Sequence, residues 1–165
     1  GAMTQDHVDK IIEQWQRERP DLDCSPMGII GRMARMGQLL SGKVTGVYEQ
    51  HGLDTIEFDI LATLRRSGEL ITPTELYQTV MLSSGAMSVR LERLESRGLV
   101  FKQPNAHDKR SCKIGLTQEG LNVIDRALEH HVQNEKEILE PLTATERQQL
   151  AGLMRRWLLH NEPAE

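Results

Sequence analysis

Apolar residues recur every three or four positions along most of this chain, and strong start and stop signals separate the recurrences. Val8, Ile11, Ile12 and Trp15 make one stripe within 7–19, which Pro20 ends. Ser25 reads as an N-cap and Pro26 as the first position of a second helix, which runs to about Gln50 with Gly52 beyond its end. Its stripe (Met27, Ile30, Met33, Met36, Leu40, Val44, Val47) is interspersed with glycines that weaken an isolated helix and call for packing partners. Asp54 and Glu57 have capping-box spacing ahead of Ile56, Ile60, Leu61 and Leu64, and Gly68 stops that helix. Thr72-Pro73-Thr74-Glu75 starts a short helix through Val80. After Met81-Leu82, Ser83 or Ser84 caps another helix with the core stripe Met87, Leu91 and Leu94, ended by Gly98. A short helix, a tight turn and a second helix of about four turns predict a helix-turn-helix.

Beyond Gly98 the period shortens to two. Leu99–Lys102 and Cys112–Leu116 predict strands, joined by a polar loop from Gln103 to Ser111 with Pro104-Asn105 as its turn. The result is a two-stranded wing. Thr117 then caps a long helix with Leu121, Ile124, Leu128 and Val132 inward, and Pro141 breaks it. Thr143-x-x-Glu146 opens a last helix with Leu150, Leu153, Met154, Trp157 and Leu158 on one stripe.

The predicted fold class is mainly α with a small β-wing, a winged helix-turn-helix within a single structural domain. Residues 4–52 are expected to form N-terminal dimerisation helices, 53–116 the DNA-binding region and 117–165 C-terminal dimerisation helices. The winged unit needs only part of the chain. The surplus apolar helices therefore predict a homodimer, the commonest soluble assembly.

A length of 165 residues with 38% hydrophobic content supports one core. Aromatics at 4% fit poorly with a single-strand-binding channel. No apolar run approaches the roughly 20 residues of a membrane span. Cys24 and Cys112 make no disulfide framework and fit a reducing, cytoplasmic setting. No signal-peptide pattern is visible, and Gly1-Ala2-Met3 reads as a tag remnant. The net charge of -4 argues against nucleic acid until its distribution is considered. Residues 83–116 hold seven basic and three acidic side chains, a local +4 that leaves -8 on the rest. Such a basic stretch is a footprint for phosphates, or else a solvated helix face followed by a charged loop.

The run Ser83 to Val100, then Asp108-Lys109-Arg110, then Leu116-Thr117-x-x-Gly120, resembles the MarR family of bacterial transcription regulators. The resemblance covers about residues 25–160 in helix order and is most specific in Asp-x-Arg followed by Leu-Thr-x-x-Gly. It implies a dimeric winged helix-turn-helix that binds double-stranded DNA at a pseudo-palindromic operator. Many such proteins are repressors released by small aromatic, phenolic or anionic effectors. The first helix with Trp15, the linker after it, and Phe58-Asp59-Ile60-Leu61 with Arg66 resemble the PecS and urate-responsive branch. There the resemblance implies ligand roles for Trp15, Asp59 and Arg66 or Arg90.

The reading helix then presents Ser83, Ser84 and Gly85 in its first turn, with Ser88, Val89 and Arg90 one turn on. Arg93 and Arg97 contact the DNA backbone or pair with Glu92 or Asp108. Arg110 enters the minor groove from the wing tip, with Asp108 as the acceptor that holds its guanidinium. Lys102, Lys109 and Lys113 supply salt-dependent attraction.

Adjacent His130 and His131 point about 100° apart on a helix and poorly share a metal, so no metal site or cofactor is expected. No nucleophile elbow, P-loop or dinucleotide fingerprint points to an enzyme. A thiol-responsive regulator using Cys24 is an alternative, although Asp21 and Asp23 beside it blunt a thiol's reactivity. A dimeric winged-helix adaptor that binds protein is another. Steeply salt-dependent heparin retention separates DNA binding from the adaptor.

Overall fold

A computed structural model describes residues 4–163. The expected tag remnant and the last two residues of the expected C-terminal segment lie outside them. The chain divides into two compact units, one up to Gly46 and one from Val47 onward.

The first unit holds α1 (His7–Glu18) and most of α2 (Met27–Gln50). Asp6 caps α1 in a reciprocal capping box with Asp9. Val8 and Ile12 pack on the bare backbone of α2. A Cβ added at Gly31 would stand 3.6 Å from Val8, and one at Gly28 3.6 Å from Ile12. Arg32 of α2 closes the pair with hydrogen bonds of 2.9 Å to both Asp6 and Asp9. The start of α2 differs from the expected one. Met27 is its first residue, the Pro26 carbonyl accepts from Ile30, and the Ser25 amide donates to Asp23. Asp23 captures the serine backbone in a local turn ahead of the helix. Trp15 is 42% exposed, and Ile29, Ile30, Met33, Met36 and Leu39 are also exposed.

The second unit runs α3 (Thr55–Ser67), α4 (Pro73–Val80), α5 (Ser84–Ser96), β1 (Val100–Asn105), β2 (Asp108–Leu116), α6 (Gln118–Ile138) and α7 (Ala144–Asn161). Capping boxes at Asp54, Thr72 and Thr143 start α3, α4 and α7 as expected, and Ser83 and Thr117 cap α5 and α6. Gly68 and Gly98 stop α3 and α5 with φ of 69° and 74°, the left-handed region where glycine pays no Cβ penalty. The core gathers Ile60, Leu61 and Leu64 from α3, Leu76 from α4, and Met87, Leu91 and Leu94 from α5. Val100 and Ile114 from the wing base and Ile124 from α6 complete it. Full burial of each such side chain contributes about 2 kcal/mol.

β1 and β2 pair antiparallel from Val100–Leu116 to Asn105–Asp108, with an irregularity at Pro104/Asn105. The expected nine-residue loop is therefore mostly strand. Only Ala106 and His107 turn, and Pro104 lies opposite Cys112. The polar composition of this stretch reflects two solvated faces, and its strands persist because the ladder satisfies their backbones. Ile71 and Ile114 exchange backbone hydrogen bonds of 3.1 and 2.7 Å, tying the α3–α4 connection to the wing base.

The inward assignment on α6 is corrected. Leu128 and Val132 of α6 are 38% and 41% exposed, because α6 buries Gly120, Ile124 and Ala127 on the core side of its own unit. On α7, Leu153, Met154, Trp157, Leu158 and Leu159 are all exposed.

Candidate nucleic-acid interface

The turn between α4 and α5 is built by an unusual residue choice. Met81 closes α4 at φ 59°, left-handed without being glycine, and its side chain stands in solvent. The Met81 and Leu82 amides both donate to the Tyr77 carbonyl, which redirects the chain within two residues. Ser83 then accepts from the Ala86 amide and starts α5.

The face of α5 that carries Met87, Leu91 and Leu94 is buried. Ser84, Gly85, Ser88, Val89, Glu92 and Arg93 are exposed. Ser88 donates its hydroxyl hydrogen to the Ser84 carbonyl at 3.1 Å, so the hydroxyl keeps only acceptor capacity.

The arginines of α5 divide by partner. Arg90 pairs with Asp54, the N-cap of α3. Arg97 donates to buried Glu57 at 3.0 Å and to the Gly52 carbonyl at 2.8 Å. The expected Glu92 or Asp108 partners of Arg97 are thus replaced by a residue 40 positions earlier. The two carboxylates that cap α3 also hold α5 at two points. Glu57 completes the capping box through the Asp54 amide, and Asp54 accepts from the Glu57 amide at 2.7 Å. Burial pushes the Asp54 carboxyl up, but the Glu57 amide and the Arg90 guanidinium outweigh it and hold the carboxyl below its ordinary value. This clamp is visible in the sequence only as a capping box and two arginines seven residues apart.

On the wing, Lys102, Lys109 and Arg110 are exposed and Lys113 is half-buried. Lys102 lies 4.0 Å from Glu95, a weak exposed pair. The role expected of Asp108 is corrected. Its carboxylate accepts from the Arg110 main-chain amide at 3.0 Å, while Asn105 accepts from the His107 amide at 3.1 Å. The two side chains shape the backbone of the tip and leave the Arg110 guanidinium to solvent-facing partners.

The expected ligand residues fall in different places. Asp59 and Arg66 sit on exposed positions of α3, Arg90 is clamped on α5, and Trp15 stands exposed on α1 in the other unit. Partial loss of water pushes the Asp59 carboxyl up, opposed by Arg66 and His131. Beside it lies a cluster that the sequence did not reveal. Tyr48 stacks on Phe58 with ring centroids 4.2 Å apart, and His131 sits 5.3 and 5.2 Å from those two rings. Burial, with Asp59 and Glu135, pushes the Tyr48 phenol up to about 12. His130 turns away to meet His51 at 3.1 Å, so the adjacent histidines do face different partners. Cys24 is buried, which disfavours it as an accessible sensor thiol. Among the described residues no helix is long and apolar enough to cross a membrane.

Comparison with known proteins bears on this geometry. The sequence profile described as MarR family matches residues 51–111, from just before α3 into β2. The HTH-type transcriptional regulator PecS of Dickeya dadantii is 40% identical over 151 residues, spanning 90% of this chain and 91% of that one. The multiple antibiotic resistance protein MarR of Escherichia coli is 28% identical over 131 residues, spanning 78% of this chain and 90% of that one. A crystal structure of a mutant MarR from E. coli complexed with operator DNA superposes with a TM-score of 0.67 at 26% identity, covering 93% of this chain and 99% of that one. With its helix-turn-helix, its hairpin wing and its identity to PecS over nearly the whole length, the chain belongs to the MarR family of transcription regulators.

Proposed function

We propose that this DNA-binding regulator acts as a homodimer on a pseudo-palindromic operator and represses transcription until a small aromatic, phenolic or anionic effector binds. The observation that carries the reading is the outward face of α5, with Ser84, Gly85, Val89 and Arg93 exposed beside a hairpin tipped by Lys109 and Arg110.

In this reading α5 enters the major groove, and its first-turn amides and the Ser83 and Ser84 hydroxyls meet phosphate. Arg93 sits a turn deeper. Arg90 and Arg97 are positioning residues, since both are committed to the α3 cap. Arg110 enters the minor groove and Lys102, Lys109 and Lys113 add non-specific attraction. Asp108 sets the tip backbone and contacts no base. An anionic effector that draws Arg90 away from Asp54 loosens the reading helix, and Asp59, Arg66 and Trp15 are further residues proposed to contact an effector.

The test begins with selection of bound fragments from genomic DNA. Arg110→Ala is expected to weaken the selected operator about ten- to a hundredfold by fluorescence anisotropy, with the dimer still folded. Wild-type affinity in that variant removes the wing from the interface. Aromatic acids and purines are then screened for release of the operator. Unchanged release from Trp15→Ala, Asp59→Asn and Arg66→Ala variants removes those residues from the effector site.

A further inference from the structure

Val89 stands outside the core. It lies two residues beyond fully buried Met87, about 200° round the helix, so it points away from the core. It is 57% exposed. A helical side chain leans toward the helix N-terminus and covers the turn before it. For Val89 that turn holds Gly85, four residues earlier, where an added Cβ would meet nothing within 4 Å. A stiff, branched apolar group therefore stands beside a gap in the first two turns of the reading helix.

Some of the polar groups near it are committed within the fold. Ser83 accepts from the Ala86 amide, Ser88 donates to the Ser84 carbonyl, and Arg90 is held by Asp54. A major-groove edge that offers apolar chemistry at such a point is the C5-methyl of thymine.

We infer that Val89, exposed on the same face as the open surface at Gly85, is the residue that selects a thymine methyl in each half-site. This rests on the DNA-reading role proposed for α5. The interaction is additive to phosphate contacts and carries sequence preference that they lack.

The experiment uses the full chain and the operator recovered by selection. Each thymine in one half-site is replaced in turn by deoxyuridine, which removes only the methyl, and affinity is read by anisotropy. Burying one methyl group corresponds to about a fourfold change in Kd. The wild-type chain is expected to lose about that factor at one thymine under the first two turns of α5. Val89→Ala is expected to bind the thymine and deoxyuridine duplexes equally at that position, while its response elsewhere stays as in the wild type. Its fold is not at stake, because the side chain is exposed. Val89→Thr, which keeps one methyl, is expected to retain part of the discrimination. A deoxyuridine profile identical in wild type and Val89→Ala overturns the inference and leaves the DNA-reading role standing. A wild-type profile with no sensitive thymine does the same. A chain that selects no duplex sequence at all overturns both.

Discussion

Asp54 carries two jobs with one carboxylate: it caps α3 by accepting from the Glu57 amide, and it holds Arg90. Its lowered pKa means that the folded state favours the charged form. The stability from this group is fully present above the ordinary value of 3.8 and is lost as pH falls through the lower folded value. Asp54→Asn preserves a capping oxygen and removes the charge. Wild type is therefore expected to exceed Asp54→Asn in stability at neutral pH, with the gap in urea midpoints narrowing below pH 3.8. A gap independent of pH would show that capping alone matters. From sequence alone Arg90 reads as a base contact. It sits on the reading helix and carries the right charge, and its partner lies 36 positions away.

At the scale of elements, close approach decides more than propensity does. Gly120, in the first turn of α6, lies against the Leu99 backbone, and an added Cβ would overlap the Leu99 carbonyl. This contact sets α6 on the wing base, beside the Thr117 hydroxyl bonded to the Gly98 carbonyl at 2.6 Å. Gly120→Ala is expected to cost about 1–3 kcal/mol, since backbone cannot yield as a flexible side chain can. Gly85→Ala, in open space, is expected to leave the thermal midpoint unchanged or raised. Equal effects in the two variants would contradict the packing. The Leu-Thr-x-x-Gly signature was legible in sequence as a cap, but the demand for glycine comes from a chain crossing that no local pattern reveals.

For the whole molecule, large apolar side chains stand exposed along two helices. Leu153, Trp157 and Leu159 of α7 are 65%, 56% and 78% exposed, and Ile29 and Leu39 of α2 are 68% and 62% exposed. A second copy covering these faces is the expected explanation. Leu153→Glu is expected to halve the particle mass in sedimentation toward the 18.7 kDa of one chain. It should also weaken operator binding by at least about tenfold, because two linked reading heads gain from effective concentration. An unchanged mass would exclude α7 from the dimer contact.

The order of elements, nearly every helix start and the helix-turn-helix were determined by the sequence alone, because caps and apolar stripes act among residues within about four positions of each other. The family resemblance followed from the same local stretch of reading helix and wing. Tertiary structure alone decided the partners of Arg90 and Arg97, the strand pairing through the polar wing tip, the turn of Asp108 onto its own backbone and the outward course of Leu128 and Val132. Each of these depends on what a distant segment presents across the gap, and charge or hydrophobicity at one position does not say which partner arrives there.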